Sequence, residues 1–209
     1  MTRPLIVTDC DEVLLHMVRH FRDWLDVEHR VALQLETHAF AKAMRRHGET
    51  EPLGEEEMWR LLGLFFDTQM DSQEPIAGAI DAINSLQERA DVVVLTNLND
   101  SRNEARVRQL QRLGIEARVF TNQGPKGGAL SAIVDEYRPS VAVFIDDIAS
   151  HHQSAAEHVP AVRRLHFCGE PAIARHVPCA HQAGAAHARI DTWAEALPWI
   201  NGQLEELKS

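Results

Sequence analysis

Short, continuous runs of aliphatic and β-branched residues constrain the fold of this chain more than any other feature. Runs without polar alternation are typical of parallel strands whose two faces are both covered by helices. The predicted strands are residues 5–8, 92–95, 141–145 and, less regular, 162–167, with 117–120 as a weaker candidate. Amphipathic stretches with helix start and stop signals lie between the later runs, at 79–89, 101–113, 128–137 and 150–158. This alternation predicts an α/β fold, a Rossmann-like three-layer sandwich with a central parallel sheet.

Residues 16–74 interrupt the alternation. They contain no clear strand but three apolar helical faces, formed by Met17, Phe21, Trp24 and Leu25, by Phe40 and Met44 after Thr37, and by Met58, Leu61, Leu62 and Phe65. About 60 residues are more than a simple crossover between parallel strands needs. We therefore predict a small helical insertion, residues 16–74, over a core domain made of residues 1–15 and 75–209. A long crossover with two or three helices is the alternative.

Polar residues follow three of the predicted strands, at the points where the strands end. They are Asp9 and Asp11, then Thr96 and Asn97, then Asp146 and Asp147. The carboxyl ends of parallel strands meet at one edge of a sheet, which is where ligands bind in open α/β folds. A single Asp after a strand is usually a helix cap, but two pairs repel unless a cation lies among them. Oxygen ligands suit Mg²⁺, so the pattern predicts a magnesium site.

Lys126 is a candidate for the positive charge that an anionic ligand would need at this edge. It lies in the segment Gly124-Pro125-Lys126-Gly127-Gly128, at the start of a predicted helix. The free backbone N–H groups of a helix start also favour anions. The alternative is an exposed loop lysine without a role in binding.

Together these segments resemble the four motifs of the haloacid dehalogenase-like superfamily. The residues that carry the resemblance are Asp9-Cys-Asp11-Glu-Val13, a strand ending in Thr96, then Lys126, and a strand ending in Asp146-Asp147, in that order. The resemblance covers roughly residues 1–15 and 75–170. It implies a haloacid dehalogenase-like α/β core with a small helical cap that is inserted after the first strand and closes over the site.

The resemblance also implies roles for the acidic residues. Asp9 would be the nucleophile that forms an aspartyl-phosphate, and Asp11 would act as general acid and then as general base. Mg²⁺ would be held by Asp9, by the backbone carbonyl of Asp11 and by Asp146. Asp147 would lie outside this set, acting through water or on Lys126.

Three further residues would bind the phosphoryl group by the same resemblance. They are Thr96, Asn97 through its amide, and Lys126. The acid at Asp11 favours phosphoryl transfer over halide displacement, because the dehalogenases of the superfamily lack it. Glu12 departs from the family pattern, which usually has Gly there, and we expect its side chain to turn away from the site.

We therefore expect a Mg²⁺-dependent phosphatase, a hydrolase of small phosphorylated metabolites. Two kinds of alternative stay open: a 5′-nucleotidase-like or phosphotransferase activity on the same scaffold, and a module that binds a phosphorylated ligand without hydrolysing it. The net charge of −10 disfavours a nucleic-acid partner, and no apolar run is long enough to span a membrane. Three cysteines suit a reducing compartment, so we expect a cytoplasmic protein without a signal peptide.

Several remaining residues have two interpretations each. Candidate substrate contacts in the insertion are Arg19, Arg22, Arg45, Arg46 and His16, although solvated helix faces are the commoner explanation. His and Cys residues crowd the C-terminal part, namely His151, His152, Cys168, His176, Cys179 and His181. They lack the paired spacing of a structural zinc site, which favours a variable surface region. Strand alternation predicts that Cys10 points into the core, away from the aspartates on either side of it.

Overall fold

A six-stranded parallel sheet forms the centre of the molecule in the computed structural model, which describes residues 2–35 and 42–205. The strand order is β5-β4-β1-β6-β7-β8. The strands of this sheet are β1 (Leu5–Thr8), β4 (Asp91–Thr96), β5 (Arg118–Thr121), β6 (Ala142–Asp146), β7 (Arg163–His166) and β8 (Ala188–Arg189). All four predicted strands and the weaker candidate are confirmed. β8 was not predicted, because two residues are too few to show a pattern.

Helices cover both faces of this sheet. They are α3 (Ala79–Gln87), α4 (Asn103–Arg112), α5 (Gly127–Tyr137), α6 (Ala149–His158) and α8 (Trp193–Glu205), whereas the short helix α7 (Pro171–Ala174) packs through Ile173 against the insertion. Ile6 and Val94 of the sheet pack on the side of α3 and α8, whereas Val7 and Phe144 pack on the side of α5 and α6. Alternate residues of the strands thus pack into two apolar layers, one on each face of the sheet, which confirms the predicted three-layer sandwich.

The insertion after β1 has its own apolar core. It contains α1 (Val18–His29), β2 (Val31–Leu33), β3 (Met44–Arg46), α2 (Glu55–Gln69) and a 3₁₀ turn at Met70–Ser72. Phe21, Leu25 and Phe65 pack together there, separate from the residues around the central sheet. The cap predicted after the first strand is therefore present, while the exact domain boundaries stay a prediction.

The expectation that the insertion holds no strand is wrong. β2 and β3 form an antiparallel pair in which Leu33 lies opposite Met44. Met44 therefore belongs to a strand and not to the predicted helix, whose other members, Thr37 and Phe40, lie outside the described residues. Strands of three residues are too short for periodicity to distinguish them from helix. Within the described part of the chain, no helix combines the length and apolarity needed to cross a membrane.

Candidate active site

The register of the sheet brings the predicted site residues to one edge. β1 lies between β4 and β6, with Thr8 opposite both Val94 and Ile145. The backbone N–H of Asp9 extends this ladder by donating to the carbonyl of Ile145 at 2.8 Å. Asp9 therefore leaves the sheet next to Asp146, the last residue of β6, as the strand ends predicted.

Lys126 is fully buried between two of these carboxylates. Its Nζ lies 2.8 Å from Oδ2 of Asp9 and 2.7 Å from Oδ2 of Asp146. Burial opposes the charge of the ammonium group, but Asp146 and Asp9 together raise the pKa of Lys126 above its ordinary value. The alternative of an exposed loop lysine is excluded.

A close approach of two helices holds Lys126 in this position. A Cβ on the next residue, Gly127, would lie 2.4 Å from the carbonyl oxygen of Ser154, in α6. The N–H of Gly127 donates to Oγ of Ser154 at 3.1 Å. The start of α5 can thus press against α6 only because residue 127 has no side chain, and this contact fixes Lys126 over the sheet edge.

Both carboxylate oxygens of Asp146 are occupied by donors from the chain. Oδ2 faces Lys126, while Oδ1 accepts from the N–H of Ile148 at 2.9 Å and lies 3.0 Å from Nδ1 of His151. Burial disfavours its charge, but Lys126 and His151 hold the pKa of Asp146 well below its ordinary range. Asp146 is therefore a firmly anchored anion. Its contact with His151 was not predicted. The expectation of a variable surface is wrong for His151, His152 and Cys168, which are buried.

The surroundings of Asp147, unlike those of Asp146, disfavour the charged form of its carboxyl group. Asp9, Asp146 and Asp147 each offer an oxygen within 4.8 Å of the others. Burial, followed by the charges of Asp146 and Asp9, raises the pKa of Asp147 well above its ordinary range. Burial also raises the pKa of Asp9 to about 6, although Lys126 counteracts it. Three carboxylates and one ammonium leave an excess of negative charge that a divalent cation would neutralise.

Asp11 is held by partners that sequence reasoning missed. Its two oxygens lie 3.0 and 3.1 Å from Nη2 of Arg106, and Oδ1 also accepts from Nε2 of Gln73 at 2.9 Å. Arg106 is fully buried and is held in turn by Gln109 of the same helix at 2.9 Å. The sequence did carry a signal, because Arg106 and Gln109 share the buried face of α4 with Leu110. A charged residue on an apolar helix face usually has a partner.

Thr96, the last residue of β4, and Asn97, which follows it, line the same cavity as Asp9. Nδ2 of Asn97 donates to the carbonyl of Gly124 at 3.0 Å, which links the loop after β4 to the loop that carries Lys126. Cys10 has its side chain in the apolar core, as predicted, and its N–H donates to Oδ1 of Asp9 at 2.7 Å. The four predicted segments therefore meet at one place.

Glu12 adopts the left-handed backbone conformation, with φ of 61°, that makes Gly usual in the resembled motif. Its side chain is buried, and Oε1 accepts from the backbone N–H groups of Met17 and Val18 at 2.9 and 2.6 Å. These contacts satisfy donors at the start of α1. The carboxylate is directed to the cap helix rather than to Lys126, and the residue contributes to the wall of the cavity.

The cavity above the sheet edge has a volume of about 800 Å³. Its floor contains Asp9, Asp11, Thr96 and Asp147, and its apolar walls are formed by Met17, Val18, Trp59, Leu62, Phe66, Ile148, Val177 and Pro178. The four arginines proposed as substrate contacts are not among the lining residues. Arg19 instead pairs with Glu74, Arg22 with Asp23, and Arg46 with Glu57, while Arg45 bonds to the carbonyl of Thr50.

Comparison with known proteins identifies the fold. No protein-family model and no curated protein matches the chain. Several solved structures do match the chain. A conserved haloacid dehalogenase-like protein of unknown function from Agrobacterium tumefaciens is similar with a TM-score of 0.66 and 16% identity, over 96% of this chain and 99% of that one. A haloacid dehalogenase-like hydrolase from Streptococcus pneumoniae gives 0.64 and 12%, over 96% and 98%.

A third structure, a hydrolase of the same family from Deinococcus radiodurans with bound phosphate and sodium, is similar with a TM-score of 0.63 and 13% identity, over 92% of each chain. These similarities extend over nearly the whole of each chain, cap included. The chain therefore has the haloacid dehalogenase-like fold that its four motifs predicted.

Proposed function

We propose that this protein is a Mg²⁺-dependent phosphatase that hydrolyses a small phosphate monoester through an aspartyl-phosphate. The observation that carries the proposal is the meeting of Asp9 and Asp147 at the floor of one cavity, with the buried ammonium of Lys126 2.8 Å from Oδ2 of Asp9. A phosphate-sized anion would there meet a nucleophile, a fixed positive charge and a cluster of carboxylates suited to a divalent cation. The phosphate bound to the similar Deinococcus hydrolase supports the same class of ligand.

In this proposal a carboxylate oxygen of Asp9 attacks phosphorus in line, and the leaving oxygen takes a proton from Asp11. Asp11 then accepts a proton from the water that hydrolyses the aspartyl-phosphate. Lys126, the Thr96 hydroxyl and the Asn97 amide hold the phosphoryl oxygens and offset their charge.

The donor set fits Mg²⁺, and we propose one change from the roles that the resemblance implies. Both oxygens of Asp146 already have partners within the chain, whereas Asp147 has a raised pKa among like charges. Asp9, the backbone carbonyl of Asp11 and Asp147 would therefore hold Mg²⁺, while Asp146 would orient Lys126. The bound cation would supply electrostatic stabilisation for the charge on the transferred phosphoryl group.

The walls of the cavity favour a substrate with an apolar leaving part. Trp59, Leu62 and Phe66 come from the cap, and none of the lining residues is an arginine or lysine among the residues described. The aromatic rings of Trp59 and Phe66 also favour a deoxynucleoside monophosphate as a second candidate substrate. A small phosphorylated metabolite as partner and a cytoplasmic location stay predictions from the sequence.

The test is phosphate release from a panel that contains p-nitrophenyl phosphate, alkyl and aryl monoesters, sugar phosphates and deoxynucleoside monophosphates. We expect turnover that requires Mg²⁺ and falls at least about 10³-fold in Asp9→Asn, because the nucleophile is lost. Titration with Mg²⁺ tests the metal ligands, since Asp147→Asn should raise the half-saturating Mg²⁺ concentration more than Asp146→Asn does. Equal inactivity of wild type and Asp9→Asn on the whole panel would refute the enzyme, and tight ligand binding without hydrolysis would support the binding-module alternative.

A further inference from the structure

Three buried side-chain atoms without a hydrogen-bond partner meet at one place outside the proposed Mg²⁺ site. Among the described residues, five buried side-chain nitrogen or oxygen atoms lack such a partner. Three of them are Oε2 of Glu12, Nδ1 of His16 and Oε2 of Glu170. The same three residues offer ligand atoms that lie within 4.8 Å of one another. Buried polar atoms are nearly always satisfied, so this convergence calls for a ligand.

The fold fixes both carboxylates so that one oxygen of each is directed into this cluster. Oε1 of Glu12 is engaged at the start of α1, and Oε1 of Glu170 accepts from the N–H of Ala172 at 3.0 Å, at the start of α7. The backbone N–H of Gly169 donates to the carbonyl of Glu12 at 2.7 Å, which joins the two segments. Each carboxylate thus uses one oxygen for the chain and leaves the other free.

The imidazole of His16 completes the cluster. Its backbone N–H donates to the carbonyl of Glu74 at 2.9 Å, which anchors the chain where it passes into the cap. Nδ1 lies 3.0 Å from Oε2 of Glu170, although neither atom makes a hydrogen bond of acceptable geometry there. Three potential ligand atoms therefore come from two distant parts of the chain.

The charges of the cluster favour a cation. Glu12 is 2% exposed and Glu170 is 6% exposed, so bulk water does not solvate either carboxylate. Burial and the charge of Arg19 lower the pKa of His16, whereas Glu170 raises it.

We propose that Glu12, His16 and Glu170 bind a divalent first-row transition metal of the Zn²⁺ type, at a second site distinct from that for Mg²⁺. One imidazole nitrogen and two carboxylate oxygens are a common donor set for such metals, whereas Mg²⁺ prefers oxygen alone. Ligand atoms around a tetrahedral Zn²⁺ with bonds of about 2.0–2.1 Å lie about 3.4 Å apart, close to the separation of His16 and Glu170. Glu12, which stands where the resembled motif usually has Gly, supplies one of the three ligands.

Such a metal would tie the first residues of the cap to the segment that follows β7. Glu12 and His16 belong to the connection between β1 and α1, and Glu170 is the N-cap residue of α7 in the core. Three ligands leave at least one coordination position for water.

The test is calorimetric titration of Zn²⁺ into metal-free protein that contains saturating Mg²⁺. We expect His16→Gln and Glu170→Gln each to weaken Zn²⁺ binding at least about 10-fold, since each removes a ligand. Gln at position 170 can still accept the hydrogen bond from Ala172, which preserves the cap of α7. His47→Gln removes an exposed histidine of the cap and should leave Zn²⁺ affinity unchanged. Asp147→Asn should also leave it unchanged, because that residue belongs to the other site.

A second measurement needs no variant. An anomalous difference map at the zinc edge, from wild-type crystals soaked in Zn²⁺, should show a peak between Glu12, His16 and Glu170. The proposal is overturned if this peak is absent while zinc occupies other positions, or if His16→Gln and Glu170→Gln bind Zn²⁺ as wild type does. A loss of Zn²⁺ binding in Asp147→Asn alone would assign the zinc to the Mg²⁺ site instead. None of these readouts requires phosphatase activity, so they are independent of the proposed reaction.

Discussion

At the scale of single residues, the two aspartates of the first motif have different partners. Asp9 faces Lys126, whose ammonium group is shared with Asp146, so its carboxylate stays close to a fixed positive charge. Asp11 instead contacts the buried guanidinium group of Arg106, through both oxygens of its carboxylate. Two residues apart in the chain, they are thus oriented by different cations, as separate roles of nucleophile and proton carrier require.

Arg106 should act as a positioning residue for Asp11. A lysine keeps the charge but lacks the planar fork that bonds both Asp11 oxygens and Gln109 at the same time. We expect Arg106→Lys to lower kcat at least about 10-fold with little change in KM, because proton transfer depends on the placement of Asp11. The measurement is steady-state kinetics on the best substrate of the panel.

A matched control lies on the same helix. Arg108 is exposed and pairs with Glu104 one turn away, so Arg108→Lys should leave both kinetic constants unchanged. If Arg106→Lys instead raised KM at constant kcat, Arg106 would act on substrate binding and not on Asp11.

At the scale of elements, the contact between α5 and α6 sets the position of Lys126. An added Cβ at Gly127 would collide with the backbone of Ser154, which cannot move without shifting α6. We expect Gly127→Ala to cost about 1–3 kcal/mol of stability, as overpacking does, and to lower activity by displacing Lys126. Urea unfolding and phosphatase assays measure the two effects.

The neighbouring glycine provides the control for this prediction. Gly128 follows Gly127 in α5, and a Cβ there would meet nothing within 4 Å. Gly128→Ala should therefore keep the activity and gain up to about 1 kcal/mol from the better helix propensity of alanine. Equal effects of the two substitutions would mean that backbone flexibility, and not the close approach to Ser154, decides the outcome.

The length and burial of each strand decide whether the sequence alone could predict it. The strands of the central sheet are buried on both faces, so their continuous apolar runs are visible without any tertiary information. The cap strands β2 and β3 have three residues each, and their pairing depends on a partner that local periodicity does not reveal. The site, too, was predictable only in part. The ends of the predicted strands placed Asp9, Thr96 and Asp146 together.

The partners of Asp11 could not be found in this way. Gln73 and Arg106 lie 62 and 95 positions from it along the chain. Neither residue belongs to one of the four motifs, since Arg106 lies in α4 and Gln73 directly follows the 3₁₀ turn at Met70–Ser72. A buried charge on an apolar helix face indicates that a partner exists, but only the packing of α4 against the site identifies which one.

At the scale of the whole molecule, buried histidines make the stability of the fold depend on pH. His166 lies in β7 and is fully buried. Its Nδ1 accepts from the N–H of Ala180 at 2.9 Å, and its Nε2 lies 2.8 Å from the carbonyl oxygen of Asp147, which fits a neutral ring protonated on Nε2. Burial, followed by the charge of Arg189, lowers the pKa of His166 to about 4.

The sign of the effect follows from proton uptake. An unfolded histidine has a pKa near 6.5, so between about pH 6.5 and pH 4 the unfolded chain binds a proton at His166 that the folded chain excludes. The free energy of unfolding should therefore fall as the pH is lowered through this interval, and His166 should contribute no slope above it. Because β7 lies within the central sheet, the loss is expected in the global unfolding transition.

His166→Gln isolates this contribution, since glutamine can accept from Ala180 and donate to the carbonyl of Asp147 without titrating. We expect the free energy of unfolding of His166→Gln to fall less steeply than that of wild type between pH 6.5 and 4, measured by urea denaturation at fixed ionic strength. The carboxylates that titrate in this range contribute equally to both proteins, so the difference in slope belongs to His166. Parallel slopes for His166→Gln and wild type would mean that the folded protein accommodates a charged imidazole in β7.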